Sequence, residues 1–266
     1  MNRKNLILST GLAMFSMFFG SGNLVFPLLV GKMSEGHYLS ATIGILLTGV
    51  LVPFLGIFAM ILFNGDSNAF FRRLGKPATF WVPLLALSLM GPFGVLARCI
   101  TVAHGAFRLA LPTTPLWVFS LIACALIFIL TIRKNKIVPV LGTILTPLLL
   151  ASLAAIAIFS LNQVNLPETT GSNTWITFKK GFLEGYQTMD LLAAFFFSVF
   201  VLEHLKGQKA ITAHPASILP IFFKSALIGA GLLSSIYFIL VLLGSMYAPY
   251  LANIPPEEML GSIAQQ

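Results

Sequence analysis

Apolar residues run along this chain in long blocks, each of about the 20 residues a membrane-crossing helix needs. The pattern predicts seven such spans, at about 6–30, 38–63, 79–110, 115–132, 137–161, 175–203 and 219–247. Two of these blocks are interrupted by small and polar residues. The first break reads Gly20-Ser21-Gly22-Asn23-Leu24-Val25-Phe26-Pro27, and the second Gly185-Tyr186-Gln187-Thr188-Met189-Asp190. Glycine, proline and polar residues weaken a helix, and in lipid an unpaired backbone group costs several kcal/mol. Breaks of this kind persist where the freed backbone lines a cavity or a ligand, and a pair of them in two halves of a chain points to a transporter binding site.

Composition removes the soluble classes. Hydrophobic residues make up 57% of the chain and charged residues 9%, too few for a water-facing surface, and mean hydropathy is +0.93. The expected fold class is an all-α integral membrane protein forming a single transmembrane domain over residues 1–266, with 24 phenylalanines suited to lipid-facing surfaces. The N-terminus lacks a signal-peptide cleavage pattern and reads as the start of the first span. The two cysteines, Cys99 and Cys124, fall inside apolar spans and read as buried free thiols.

The net charge of +8 has a local source. Arg3 and Lys4 precede the first span; Arg72, Arg73 and Lys76 follow the second; Arg133, Lys134 and Lys136 follow the fourth; and Lys206, Lys209 and Lys224 surround the loop after the sixth. The opposite side has Lys32, Lys179 and Lys180. This asymmetry predicts a multi-pass protein of the bacterial cell (inner) membrane with a cytoplasmic N-terminus, and residues 162–174 as an outer loop.

At the first break, Gly20, Ser21 and Gly22 remove bulk, Asn23 offers an amide oxygen, and Pro27 cannot donate a backbone bond. Backbone carbonyls and a neutral side-chain oxygen suit a monovalent cation, while helix N-termini suit a carboxylate. The structural alternative is close packing of helices through small residues. At the second break Asp190 is the strongest candidate, since a mid-span aspartate needs a partner or water. Thr188 adds a hydroxyl, and Tyr186 an aromatic wall. The alternative for Asp190 is a buried ion pair.

Arg98, inside the third span after Gly91-Pro92, is the charge partner within reach. It is expected to pair with Asp190 or Glu184, or to snorkel, ahead of contacting a ligand carboxylate. Glu184 has Lys180 four residues earlier, the spacing of a helical ion pair. His104 and Arg108 read as interfacial residues, while His37, His204 and His214 read as loop residues with no convergence on a metal. HExxH, GxSxG and P-loop motifs are absent, so the chain does not read as an enzyme. An ion channel would need a repeated pore-lining ring, which the sequence does not show.

These motifs carry a family resemblance. Phe19 through Pro27 resembles the G-[AS]-G-N-x-x-F-P segment of bacterial branched-chain amino acid:cation symporters, the BrnQ-type carriers. Gly181-Phe182 followed by Gly185 through Asp190 is similar to their G-F-x-x-G-Y-x-T-M-D segment, and Gly91-Pro92 with Arg98 to their G-P…P-R-T segment. Ala97 and Cys99 depart from the flanking proline and threonine, and Gly105 stands where a glutamate is frequent.

The resemblance implies a leucine-transporter-like fold of two inverted five-helix repeats, with helices 1 and 6 broken. It implies import of leucine, isoleucine and valine coupled to sodium or protons, with no cofactor beyond a coupling ion. By the same resemblance, Ser21, Gly22, Tyr186 and Asp190 are expected at the substrate, and Gly20, Asn23 and Thr188 at the cation. A sodium ion would lie at Asn23 and Thr188. Family members continue beyond a seventh span, so the first repeat and two helices of the second are expected here. The alternative reading is a truncated non-transporting remnant, or half of a split carrier whose C-terminal half is separately encoded.

Overall fold

The computed structural model describes residues 3–132, 146–161, 173–206 and 218–265, and within them every regular element is helical. The first expected span is two helices, α1 (Arg3–Phe18) and α2 (Gly22–Lys32), bent by 70° at the first break. The second is α3 (Tyr38–Leu62), continuous through one turn of π-helix at Leu47–Leu51. A short helix α4 (Ser67–Phe71) is capped by Asp66, whose Oδ1 accepts from the Ala69 amide at 3.0 Å. The third span divides into α5 (Ala78–Met90) and α6 (Val95–Ala110) at Gly91–Gly94.

Next come α7 (Leu116–Ile132) and α8 (Thr146–Leu161). The sixth span is α9 (Thr174–Tyr186) and α10 (Asp190–Lys206), bent by 45° at the second break. The seventh is the 29-residue α11 (Ile218–Met246), followed by a turn and α12 (Met259–Ala264). Among the described residues, three helices are long and apolar enough to cross a membrane, or up to five if each bent pair counts as one. The apolar stretches of α7 and α8 are shorter, so the count of seven is not reached by length alone. Arg133, Lys134, Lys136, Lys209, His214 and nearly all of 162–174 lie outside the described residues. His204, expected in a loop, sits in the last turn of α10.

Two crossed sets of helices make the core. Both halves of the first bent pair pack along α11, and both halves of the second along α3. Each crossing is closed by glycine. A Cβ on Gly11 would lie 2.8 Å from the Ser225 carbonyl oxygen, and one on Gly31 2.1 Å from that of Val241. In the second set, a Cβ on Gly181 would lie 2.2 Å from the Ala41 carbonyl oxygen, and one on Gly44 2.3 Å from that of Phe178. No real Cβ tolerates such distances, so the backbones touch because these side chains are absent.

Without a hydrophobic drive between helices in lipid, such contact is what dispersion and polar cross-links can use. The links are present: Ser40 Oγ to Thr177 Oγ1 at 2.6 Å, Thr48 Oγ1 to the Phe182 carbonyl at 2.7 Å, and Ser34 Oγ to Ser245 Oγ at 2.9 Å. Close packing through small residues, offered as the alternative for the first break, occurs at Gly11, Gly31, Gly44 and Gly181, whereas a Cβ on Gly20 would meet only Asn23 Oδ1 at 3.8 Å. Around this core, α5, α6 and α7 expose wide apolar faces, including Trp81 and Trp117, and Phe93 is exposed at the Gly91–Gly94 break.

One further expectation fails on geometry. Lys180 does not pair with Glu184: its Nζ reaches Glu35 Oε1 at 3.2 Å and the Met33 carbonyl at 3.4 Å. The α9–α3 contact turns Lys180 toward the end of α2, so a neighbouring element outcompetes the helical spacing. His104 is buried, with Nε2 2.9 Å from the Thr114 carbonyl, and Arg108 pairs with Glu258 at 3.2 Å.

Gly181→Ala should lower the thermal unfolding midpoint of the detergent-purified chain by the equivalent of about 1–3 kcal/mol, through overpacking. Gly231→Ala, whose Cβ would meet nothing within 4 Å, should leave it unchanged or raise it. Differential scanning fluorimetry on the two variants checks the contrast.

Candidate functional site

The two breaks face one another at the centre of the crossed helices. The first spans Phe19–Ser21, and α2 then starts without a side-chain cap: Ser21 is in helical conformation and its hydroxyl bonds elsewhere. Within α2, Pro27 cannot supply the amide that would normally reach the Asn23 carbonyl four residues earlier. The second break covers Gln187–Met189, and Met189 has φ +61°, a left-handed conformation that a long side chain seldom adopts. Both breaks therefore carry backbone groups that the helical ladder does not use.

One polar cluster joins them. Asn23 is buried, and its Nδ2 donates to Asp190 Oδ2 at 2.7 Å and to the Tyr237 hydroxyl oxygen at 2.6 Å. Its Oδ1 accepts from the Gly20 amide at 3.2 Å, which folds the break back on itself. Asp190, 6% exposed, opens α10, where a carboxylate is favoured by the helix dipole. Its amide donates to Thr188 Oγ1 at 3.4 Å, and that hydroxyl donates to the Gly185 carbonyl at 2.9 Å. Asp190 thus has neutral hydrogen-bond partners. The described ion pairs are Arg108–Glu258 and Lys180–Glu35, and neither includes it.

Arg98 does not pair with Asp190 or Glu184. From α6 its Nη1 donates to the Gln187 carbonyl and its Nη2 to the Thr188 carbonyl at 3.2 Å, so the guanidinium caps the second break. Its plane lies over the Phe26 ring at 4.9 Å, and a Cβ on Gly22 would fall 2.8 Å from Nη2. The carbonyls of an interrupted helix, brought within its reach, win over a carboxylate one turn away. Beside it Cys99 Sγ lies 3.1 Å from Ser21 Oγ, so α6 touches both breaks.

The structure therefore brings together Gly20, Ser21, Gly22, Asn23, Thr188, Asp190 and Arg98. Tyr186 stays apart: it is 48% exposed and meets Phe182 edge to face at 5.5 Å. Tyr237 escaped the sequence reading. It sits in the middle of α11 with 0% exposure, and the sequence around it gave its hydroxyl no visible partner on another span. The available signal was a tyrosine in mid-span, whose buried hydroxyl must find a hydrogen bond. Cys99, read as an inert buried thiol, also belongs to the site's margin. Among the described residues no group of three His, Cys, Asp or Glu side chains is placed to hold a metal ion.

Tyr237→Phe should destabilise the chain by about 1 kcal/mol, and Asn23→Ala by more, because it also strips Asp190 of a donor. The double variant should fall short of the sum by about 0.5–3 kcal/mol, as for residues sharing one network. Thermal unfolding of the four proteins in a double-mutant cycle measures the coupling.

Known proteins place this geometry in context. A family model described as branched-chain amino acid transport protein matches residues 3–264. The branched-chain amino acid permease BrnQ of Corynebacterium glutamicum is 31% identical over 227 residues, covering 85% of this chain and 53% of that protein. BrnQ of Bacillus subtilis is 30% identical over 249 residues, covering 90% and 56%. The B. subtilis permease BraB is 34% identical over 244 residues, covering 88% and 54%. The chain spans about half the length of the curated relatives it matches. No solved structure matches. Family and apolar helices together make this a membrane-embedded, multi-pass protein of a transport family rather than of an enzyme family. The chain belongs to the family of branched-chain amino acid transport proteins.

Proposed function

We propose that this chain forms the substrate and cation locus of a secondary transporter that imports branched-chain amino acids in symport with sodium or protons. The observation that carries the reading is the buried bond from Asn23 to Asp190, which ties two broken helices 167 residues apart into one polar centre. A carboxylate held by neutral donors inside an apolar bundle is a poor resting arrangement for a charge, and a proton or a monovalent cation would complete it. Asn23, whose backbone carbonyl cannot receive a bond from Pro27, the Gly20 region and Thr188 supply neutral oxygens for that cation. The uncapped start of α2 at Ser21 and Gly22 suits the carboxylate of an amino acid. Asp190 would lie beside its ammonium group, and Tyr186 would border the entrance.

The packing supports the leucine-transporter-like reading with seven spans. The helix that follows the first bent pair serves the second, and the helix that follows the second serves the first. That exchange is what two inverted repeats would produce. In this arrangement the N-terminus is cytoplasmic, as the flanking Arg3 and Lys4 favour. Cation and substrate would order the same two breaks, so each lowers the cost of binding the other. The names of the relatives favour transport of leucine, isoleucine and valine, and the comparisons lend no support to an inert remnant.

Radiolabelled leucine uptake by this chain, in a host lacking its own carriers, tests the proposal with and without sodium and across an imposed proton gradient. Uptake should need one of the two cations and should fall at least about tenfold in Asp190→Ala, given an intramembrane carboxylate at the coupling site. Wild-type uptake by a well-inserted Asp190→Ala variant would remove the proposed site.

A further inference from the structure

Arg98 is the least explained charge in the molecule. It is a cation in an apolar helix with no carboxylate partner among the described residues: the ion pairs there are Arg108–Glu258 and Lys180–Glu35. Its hydrogen bonds go to two backbone carbonyls, those of Gln187 and Thr188, at the point where α9 and α10 separate. Among the described backbone hydrogen bonds at that break, none ends on either oxygen. The aromatic face of Phe26 lies 4.9 Å from the guanidinium carbon, and the missing side chain of Gly22 leaves room for Nη2. Two convergent carbonyls, an aromatic face and a glycine-lined floor are the parts of a seat for an organic cation.

We propose that the Gln187 and Thr188 carbonyls form a cation seat that Arg98 fills from within, and that a ligand's ammonium group must displace the guanidinium to use it. The fit of Arg98 is incomplete, as a displaceable occupant requires. Its Nε is buried and has no hydrogen-bond partner, so the guanidinium leaves a donor unsatisfied while it stays. The other attachments of α6 do not depend on that contact, since Cys99 holds Ser21 and Gly94 packs near Met189. Arg98 is then a positioning residue that sets affinity by competition. Applied to the amino acid reading above, on which this part rests, the wild-type chain binds substrate only in the fraction of molecules whose seat is vacated.

The test uses the full chain in lipid nanodiscs, as wild type and Arg98→Ala, with Arg98→Gln taking its place should the alanine variant fail to fold. The first readout needs no substrate. The variant should unfold at a lower temperature than wild type, and millimolar methylguanidinium should restore the difference while sodium at equal ionic strength does not. Absence of that rescue overturns the seat, whatever the chain transports.

The second readout is binding of L-leucine and of 4-methylpentanoate, which keeps the carboxylate and lacks the ammonium. The variant should bind leucine about tenfold more tightly than wild type, with 4-methylpentanoate unchanged. Equal weakening of both ligands would instead make Arg98 a carboxylate anchor and overturn the competition. Methylguanidinium rescue with no leucine binding to either protein would leave the seat standing and remove the amino acid reading alone.

Discussion

The hydrogen bond between Asn23 and Asp190 is the interaction on which the rest of this structure depends. It is a single contact of 2.7 Å, yet it is made where both parent helices have lost their ladders. In an apolar medium each unpaired backbone group costs several kcal/mol, so neither break is stable by itself. Placed face to face, they are joined by this one side-chain bond, while other bonds fold each break back on itself. Asn23 serves Asp190 and Tyr237 while its oxygen folds Gly20 inward, and Thr188 receives the Asp190 amide. The polar centre and the bends of 70° and 45° are thus one feature seen at two scales.

The glycine crossings make that meeting possible. Helices α3 and α11 lie close against the bent pairs because Gly44, Gly181, Gly31 and Gly244 carry nothing between the backbones. The same approach brings Tyr237 of α11 up against Asn23 with no exposure to solvent. A site built this way is tightly packed along the crossings and irregular at the breaks. Met189, held at φ +61°, marks the place where backbone strain is concentrated.

The third span has a part that its exposure hides. Most of α5 and α6 faces outward, yet one turn of α6 places Arg98 against the second break and Cys99 against the first. A cation satisfied by carbonyls rather than by a carboxylate keeps Asp190 free of an internal ion pair. The two charges of the site consequently remain separate, each bonded to neutral groups.

The apolar helices, the two breaks and the position of Asn23, Thr188 and Asp190 at those breaks were legible in the sequence, because lipid imposes length and apolarity on a helix and tolerates exceptions only under strong constraint. The family motifs at Gly20–Pro27 and Gly185–Asp190 were legible for the same reason. What the tertiary structure decided are the partnerships. Lys180 was four residues from Glu184 and chose Glu35; Arg98 had Asp190 in prospect and took two carbonyls; Tyr237, a mid-span tyrosine with no partner visible in the sequence, closed the Asn23 network. Local spacing says which residues share a helix face. Which acceptor a long side chain reaches depends on the neighbouring backbone, and that is set by how closely the glycine crossings let the helices approach.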